Sequence, residues 1–108
     1  MAKEGIGEFE EVVLTLVVAL KEEAYGAAIA DECRQRLHRN VSLSAVHVTL
    51  YRLEDKGLVS SQMTEATNKR GGRRKRAYTI TPAGLAMLKQ MQEVRVDLWQ
   101  LVPELRLK

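Results

Sequence analysis

Apolar residues recur every three or four positions through the first half of the chain, the spacing that gives a helix one buried face. We predict a first helix from about residue 7 to residue 22. A second follows the Tyr25-Gly26 break and ends near residue 37 or 38. The apolar faces comprise Phe9, Val12, Val13, Leu16, Val17 and Leu20 in the first helix, and Ile29, Ala30, Cys33 and Leu37 in the second.

A third helix is predicted after a short link. Ser42 is a good N-cap, and the helix should end at Lys56-Gly57, where glycine can adopt the left-handed conformation that follows many helices. Its inward residues are predicted to be Leu43, Val46, Leu50 and Leu53. Two helices, a brief turn and a third helix match the helix–turn–helix plan.

The pattern changes after Gly57. Residues 58–63 and 76–80 are short and rich in strand-compatible side chains, and the segment 64–75 between them is polar, basic and glycine-containing. We interpret the whole as a β-hairpin with a long tip, a wing, because a loop of this length in a small domain is usually functional.

The last helix is predicted from Thr81 as N-cap and Pro82 at the first helical position to about Val102, before Pro103. It carries apolar residues at alternating spacings of four and three, which is typical of a helix–helix seam. We interpret this seam as a dimer interface formed by Met87, Met91, Val94, Leu98 and Leu101.

The predicted fold is therefore α+β. It is a winged helix–turn–helix of three helices and a two-stranded wing in residues 1–80, followed by a C-terminal dimerisation helix in residues 81–108. With 108 residues in total, the two parts should form one structural unit.

Charge indicates the partner. The formal net charge is only +3, but residues 66–92 contain no acid and seven Lys or Arg side chains. A local basic cluster in a nearly balanced chain favours a polyanion, here double-stranded DNA. The predicted DNA-binding residues are Ser42, Ser44, Ala45, His47, Val48, Thr49, Tyr51 and Arg52 of the third helix, and Lys69, Arg70, Arg73, Arg74, Lys75 and Arg76 of the wing.

Other classes of function find little support. Cys33 is the only cysteine, so we expect no disulfide and interpret it as a buried apolar residue rather than a redox sensor. His38 and His47 lack a third metal ligand, and no catalytic motif is present, so we expect no enzyme, metal or cofactor. The longest apolar run, residues 12–20, is too short to span a membrane, which favours a soluble cytoplasmic protein.

Trp99, the only tryptophan, lies on the predicted dimer helix. The main interpretation is interface core, and the alternative is a contact in a pocket for a small-molecule effector.

The order of these motifs resembles the PadR family of transcription regulators, in particular its short members with one C-terminal helix. The resemblance rests on Tyr25-Gly26, on residues 41–46 and 49–59, and on residues 72–84. It implies a homodimer in which the last helix packs on the partner's N-terminal region, and this adds Phe9 to the interface. It also implies a repressor of adjacent genes that a small molecule can release.

Two positions depart from the family pattern. His47 stands where the family commonly has a tyrosine that faces DNA, and Ala77 stands where the wing strand often has an aromatic residue. We therefore expect a regulator that binds a pseudo-palindromic operator whose sequence cannot be transferred from relatives. The alternative from another class is a winged-helix adaptor that binds proteins and not DNA.

Overall fold

The computed structural model describes residues 5–64 and 75–105. These ranges contain the helices α1 (Glu8–Leu20), α2 (Gly26–Leu37), α3 (Leu43–Asp55) and α4 (Pro82–Trp99), the strands β1 (Val59–Met63) and β2 (Arg76–Ile80), and 3₁₀ turns at Lys21–Glu23 and Pro103–Leu105. This order is the winged helix–turn–helix followed by a C-terminal helix that the sequence predicts.

The core lies where α1, α2, α3 and the base of the hairpin meet. Its fully buried side chains include Leu14, Ile29, Cys33, Leu50, Leu53 and Tyr78. The predicted burial of Cys33 is confirmed, and this burial raises the pKa of its thiol. Leu14 lies outside the single stripe predicted for α1, because that helix packs against α2, α3 and β2 at once and so needs more than one apolar face.

Helix α3 is held at both ends by the signals that the sequence predicts. At its start, the Ala45 amide donates to Ser42 Oγ at 3.0 Å. At its end, Gly57 has φ of 76°, its amide donates to the Glu54 carbonyl, and the Leu58 amide donates to the Leu53 carbonyl, both at 2.9 Å. These two bonds form a Schellman motif and turn the chain into β1.

The hairpin pairs Val59 with Ile80, Ser61 with Tyr78 and Met63 with Arg76 in antiparallel register. The other edge of β2 is covered by the segment before α2. Tyr25 forms an isolated bridge with Ala77, and the Tyr78 amide donates to the Ala24 carbonyl at 3.0 Å. The wing is thus fixed to the helical body through main-chain bonds.

Helix α4 begins as predicted, with the Gly84 amide donating to Thr81 Oγ1 at 3.1 Å. It ends at Trp99, three residues before the predicted end at Val102. The reason is Pro103, whose ring would clash with the Trp99 carbonyl in a continuing helix and whose nitrogen cannot donate to it. The Val102 amide donates to that carbonyl instead, at 3.0 Å. No helix in the described part of the chain is both long and apolar enough to cross a bilayer.

Candidate nucleic-acid interface

Helix α3 has one buried face and one open face. Val46, Leu50 and Leu53 are buried in the core. The opposite face is exposed although it includes Val48 and Tyr51, which are 47% and 57% exposed. Among the other residues predicted to contact DNA here, His47 is half-buried, and four are exposed: Ser42, Ser44, Ala45 and Arg52.

Two residues of α3 do not lie where the sequence predicted. Thr49 is only 5% exposed, so its predicted contact with DNA is wrong. It lies three residues after Val46 and four before Leu53, so helical geometry places it on their buried face. Leu43, predicted to be inward, is 43% exposed because the first turn of α3 extends beyond the core to the rim of a cleft.

His47 is positioned by the start of α2. A Cβ atom on Gly26 would lie 2.7 Å from Cε1 of His47, so the imidazole occupies the space that any larger residue at 26 would need. On its other side, the His47 ring lies 6.4 Å from the Tyr51 ring, centroid to centroid. The two rings therefore lie side by side along the open face of α3.

A cleft of about 400 Å³ separates the start of α2 from the base of the wing, and His47 lies on its wall. Lys75 and Arg76 line the wing side of this cleft, and Glu23 and Asp31 line the opposite side. The cleft therefore carries cations on the side of the hairpin and acids on the side of α2, and it brings the third helix and the wing to one surface.

Lys75 closes the described part of the hairpin. The Thr64 amide donates to the Lys75 carbonyl at 2.7 Å, and the Lys75 amide donates to Thr64 Oγ1 at 3.0 Å. Lys75 Nζ lies 4.9 Å from the centre of the Tyr25 ring, a cation–π distance. A cation at the base of the wing is thereby held over the start of α2.

The other wing residues fall into two groups. Arg76 is exposed at the start of β2, and its Nη1 donates to Ser61 Oγ at 3.1 Å. Lys69, Arg70, Arg73 and Arg74 lie outside the described residues, so their predicted contact with DNA stays a prediction.

The predicted seam on α4 is apolar and largely open. Val94, Leu98 and Leu101 are 52%, 56% and 76% exposed. Met87 and Phe9 are partly buried against the core of their own chain, and Met91 is half-buried. Leu101 lies two residues beyond the end of α4, so the last position of the predicted seam is not helical.

A groove of about 570 Å³ runs along this face of α4. It is lined mainly by apolar side chains, with Trp99, itself 40% exposed, at one end and Arg95 as a charged lining residue. Both interpretations of Trp99, interface core and ligand contact, are compatible with this position.

An ion pair joins α4 to α1 beside that groove. Arg95 donates to both carboxylate oxygens of Glu11, with its two nitrogens at 2.6 and 2.8 Å. These hydrogen bonds lower the pKa of Glu11 against the opposing effect of burial, and they raise the pKa of Arg95. A second pair joins Lys56 to Glu10 at 3.1 Å. Burial acts to raise the pKa of Glu10, but hydrogen bonds from the Gly7 amide and Lys56 outweigh it and lower that pKa.

The sequence analysis missed three residues that hold the wing in place. Tyr25 contacts Lys75, and Ser61 and Glu54 form a chain of hydrogen bonds to Arg76. Strand alternation could have placed Ser61 on the same face as its neighbour two residues away, Val59. No sequence signal indicates that Tyr25 bridges β2, because that contact depends on how the helices pack.

Taken together, these elements define a winged helix–turn–helix protein with an exposed third helix and a basic wing base. Residues 13–90 of the 108 match the model of the transcriptional regulator PadR-like family. The chain belongs to this family, and the resemblance predicted from its motifs is confirmed.

Solved structures agree with the fold. A PadR-like transcriptional regulator from Bacillus cereus is 22% identical, with a TM-score of 0.72 over 90% of this chain and 89% of that one. A PadR family regulator from Eggerthella lenta is 23% identical, with a TM-score of 0.65 over 91% and 85%.

A third match is Bacillus subtilis PadR in complex with operator DNA. It is 22% identical, with a TM-score of 0.62 over 78% of this chain and 47% of that one. At such identities the likeness establishes the fold alone. A comparison with curated protein sequences finds no match.

Proposed function

We propose that this protein is a homodimeric, sequence-specific DNA-binding repressor that acts on a pseudo-palindromic operator in the cytoplasm. The observation that carries the proposal is the shared surface of α3 and the wing: His47 and the basic pair Lys75 and Arg76 line one cleft. Bacillus subtilis PadR, which shares this fold, is solved in complex with operator DNA.

In this proposal α3 enters the major groove, which is about 12 Å wide and admits one helix. Ser44 and His47 donate or accept hydrogen bonds at base edges, and Ala45 and Val48 contact thymine methyl groups. This role explains why Val48 and Tyr51 are about half exposed, whereas the apolar residues on the opposite face of the helix are buried. Arg52 lies a full turn later and serves a phosphate.

The wing supplies the contacts that do not depend on sequence. Lys75 and Arg76 contact phosphates beside the groove that α3 occupies, and Lys69, Arg70, Arg73 and Arg74 extend this contact toward the adjacent minor groove. Each neutralised phosphate contributes about −0.9 to the slope of log affinity against log salt, so binding should be strongly salt-dependent.

The dimer forms through α4. Val94 and Leu98 are each more than half exposed, and a partner helix would remove this apolar surface from water. A two-fold dimer presents two copies of α3 to half-sites spaced by about one helical turn of DNA, roughly 10 bp, or a multiple of it.

We also propose that a small molecule releases the protein from DNA. The groove on α4 has the apolar lining and the few polar groups that small-molecule sites share. An aromatic effector bound there would contact Trp99 and displace apolar contacts of the dimer. Concentration-dependent quenching of Trp99 fluorescence, accompanied by loss of DNA binding, would support this step.

The decisive experiment measures binding to the duplex upstream of the protein's own gene, titrated against salt beside a scrambled duplex of the same length. Tighter binding to the native duplex with a steep salt slope supports a sequence-specific regulator. Equal binding to both contradicts specificity for that site. Lack of binding to either at low salt contradicts DNA binding and favours the protein adaptor.

A further inference from the structure

We propose that Glu54 and Ser61 are positioning residues. They hold the Arg76 side chain of the wing in a fixed position relative to α3, where it contacts a phosphate. The inference rests on the proposed DNA-binding function and concerns groups outside the surface assigned to DNA above. Its starting point is a hydrogen-bonded chain that runs from the last turn of α3 to the start of β2.

The chain has two links. Ser61 Oγ donates to Glu54 Oε2 at 2.9 Å, and Arg76 Nη1 donates to the same Ser61 oxygen at 3.1 Å. The hydroxyl therefore uses its single proton toward the carboxylate and a lone pair toward the guanidinium. Both bonds involve an ionised group, which makes them stronger than neutral ones.

The strand register explains why these groups meet. Ser61 pairs with Tyr78, and Met63 pairs with Arg76, so Ser61 and Arg76 are diagonal neighbours on one face of the hairpin. Val59 and Tyr78, on the same face, are only 2% exposed, so this is the face that packs on the helical body. Arg76 is thus an exposed cation at the outer end of a buried face.

These two hydrogen bonds fix the flexible Arg76 side chain before DNA binds. A long arginine side chain loses rotamer freedom when it is immobilised, and a side chain that is already held loses less on binding. Arg76 Nη1 is occupied by Ser61, which leaves other N–H groups of the guanidinium for a phosphate.

If Glu54 acted only through its charge, its removal would have the opposite effect on DNA affinity. Removing an acid near a DNA surface should tighten binding, whereas removing a positioning residue should weaken it. The test therefore compares Glu54→Ala with Asp55→Ala, its exposed neighbour. We expect Glu54→Ala to bind the operator duplex roughly three- to tenfold more weakly, the loss expected for one hydrogen bond, and Asp55→Ala to bind as tightly as the unmodified protein or more tightly.

A second pair of variants tests the middle link. Ser61→Ala should lose a similar factor, Ser61→Thr should restore it, and Ser60→Ala, on the opposite face of β1, should not change binding. In an Arg76→Ala background, Ser61→Ala should have no further effect, because it acts through Arg76. The salt slope should fall by about 0.9 in Arg76→Ala and stay unchanged in Ser61→Ala.

The outcomes separate this inference from the proposed function. If the unmodified protein binds the operator but Glu54→Ala behaves like Asp55→Ala, or Ser61→Ala is equally harmful without Arg76, the positioning role is wrong and DNA binding stands. If the unmodified protein binds no duplex, both proposals fail. Circular dichroism melting of each variant identifies any loss of binding that comes from unfolding.

Discussion

A Cβ atom added at Gly26 and one added at Gly84 would contact different kinds of atom. A Cβ on Gly26 would meet the imidazole of His47, which is the end of a side chain and can turn away. A Cβ on Gly84 would collide with the Leu58 carbonyl oxygen, which belongs to the backbone just before β1 and is held by a hydrogen bond from the Thr81 amide at 3.0 Å. The same substitution should therefore have different consequences at the two positions.

Gly84→Ala should destabilise the protein by about 1–3 kcal/mol, the usual range for overpacking a closely packed site. Helix α4 would have to shift away from β1 to admit the methyl group. Urea unfolding followed by circular dichroism measures this change, and an unchanged midpoint would contradict the close approach of the two backbones.

Gly26→Ala should change the free energy of unfolding by less than about 1 kcal/mol, because alanine is the better helix former and only a side chain must move. It should instead displace His47, so the preference among operator variants should change more than the stability does. If the relative affinities for these operator variants are the same before and after the substitution, His47 is not a base-reading residue.

Cys33 should behave as a core residue. It is fully buried, and burial raises the pKa of its thiol, so little thiolate forms near neutral pH and none of it faces solvent. A thiol-reactive disulfide reagent should therefore modify the native protein slowly and the urea-unfolded protein quickly. Fast modification without denaturant would instead support the interpretation of Cys33 as a redox sensor.

The helices and strands were largely predictable because local chemistry decides where they begin and end. Ser42, Gly57 and the Thr81-Pro82 pair each mark a boundary that the structure reproduces, since each satisfies or terminates a helix through its own side chain or backbone. The end of α4 differs most from its prediction. There, the effect of Pro103 reaches back four residues to Trp99, beyond the immediate neighbour considered in the prediction.

The candidate site was less predictable, because it depends on contacts between elements. Spacing alone identified the open face of α3, yet it left Thr49 among the DNA contacts although that residue shares the face of Val46 and Leu53. The contact of Tyr25 with Lys75 joins residues fifty positions apart, and only the packed structure brings them together.

The ion pair between α1 and α4 should make stability depend on pH. The folded pKa of Glu11 lies below its ordinary value of 4.5. Its contribution to stability is therefore complete above pH 4.5 and is lost as the pH falls through the lower folded pKa. Glu11→Gln should lower the urea midpoint at pH 7 and have a smaller effect at pH 3.

Asp31→Asn is the matched control for that measurement. Asp31 pairs with Arg34 at 2.8 Å within one helix, but the two side chains are 66% and 44% exposed, and pairs open to solvent contribute little. It should leave the midpoint nearly unchanged at both pH values. A loss in Glu11→Gln that is equally large at pH 3 would show that packing, and not charge, accounts for its role.

The molecule as a whole is extended, with principal dimensions of 53 × 35 × 23 Å, and the side chains on the second half of α4 have little of their own chain to pack against. Within α4 only Gly84 is buried. Met87 and Leu88 are partly buried against the core, but a helix of 18 residues with one fully buried position obtains little stability from packing on its own chain. Such packing is where most helical stability in proteins comes from. The apolar side of this helix is left uncovered by its own chain, and a partner helix in the proposed dimer would cover it.

Leu98→Glu should convert the proposed dimer to a monomer, because it places a charge on the open apolar face of α4, where burial without a counter-ion is costly. Sedimentation analysis should report half the mass of the unmodified protein. Met63→Glu provides the control, since Met63 is likewise an open apolar residue, 43% exposed, but lies on the hairpin. The mass of that variant should not change. If the fold persists, the monomer should bind a single half-site weakly and lose its preference for the full operator, because one copy of α3 reads only half of it. A Leu98→Glu protein that stays dimeric would exclude α4 as the interface, and the spacing of the half-sites would then have to be set by another surface.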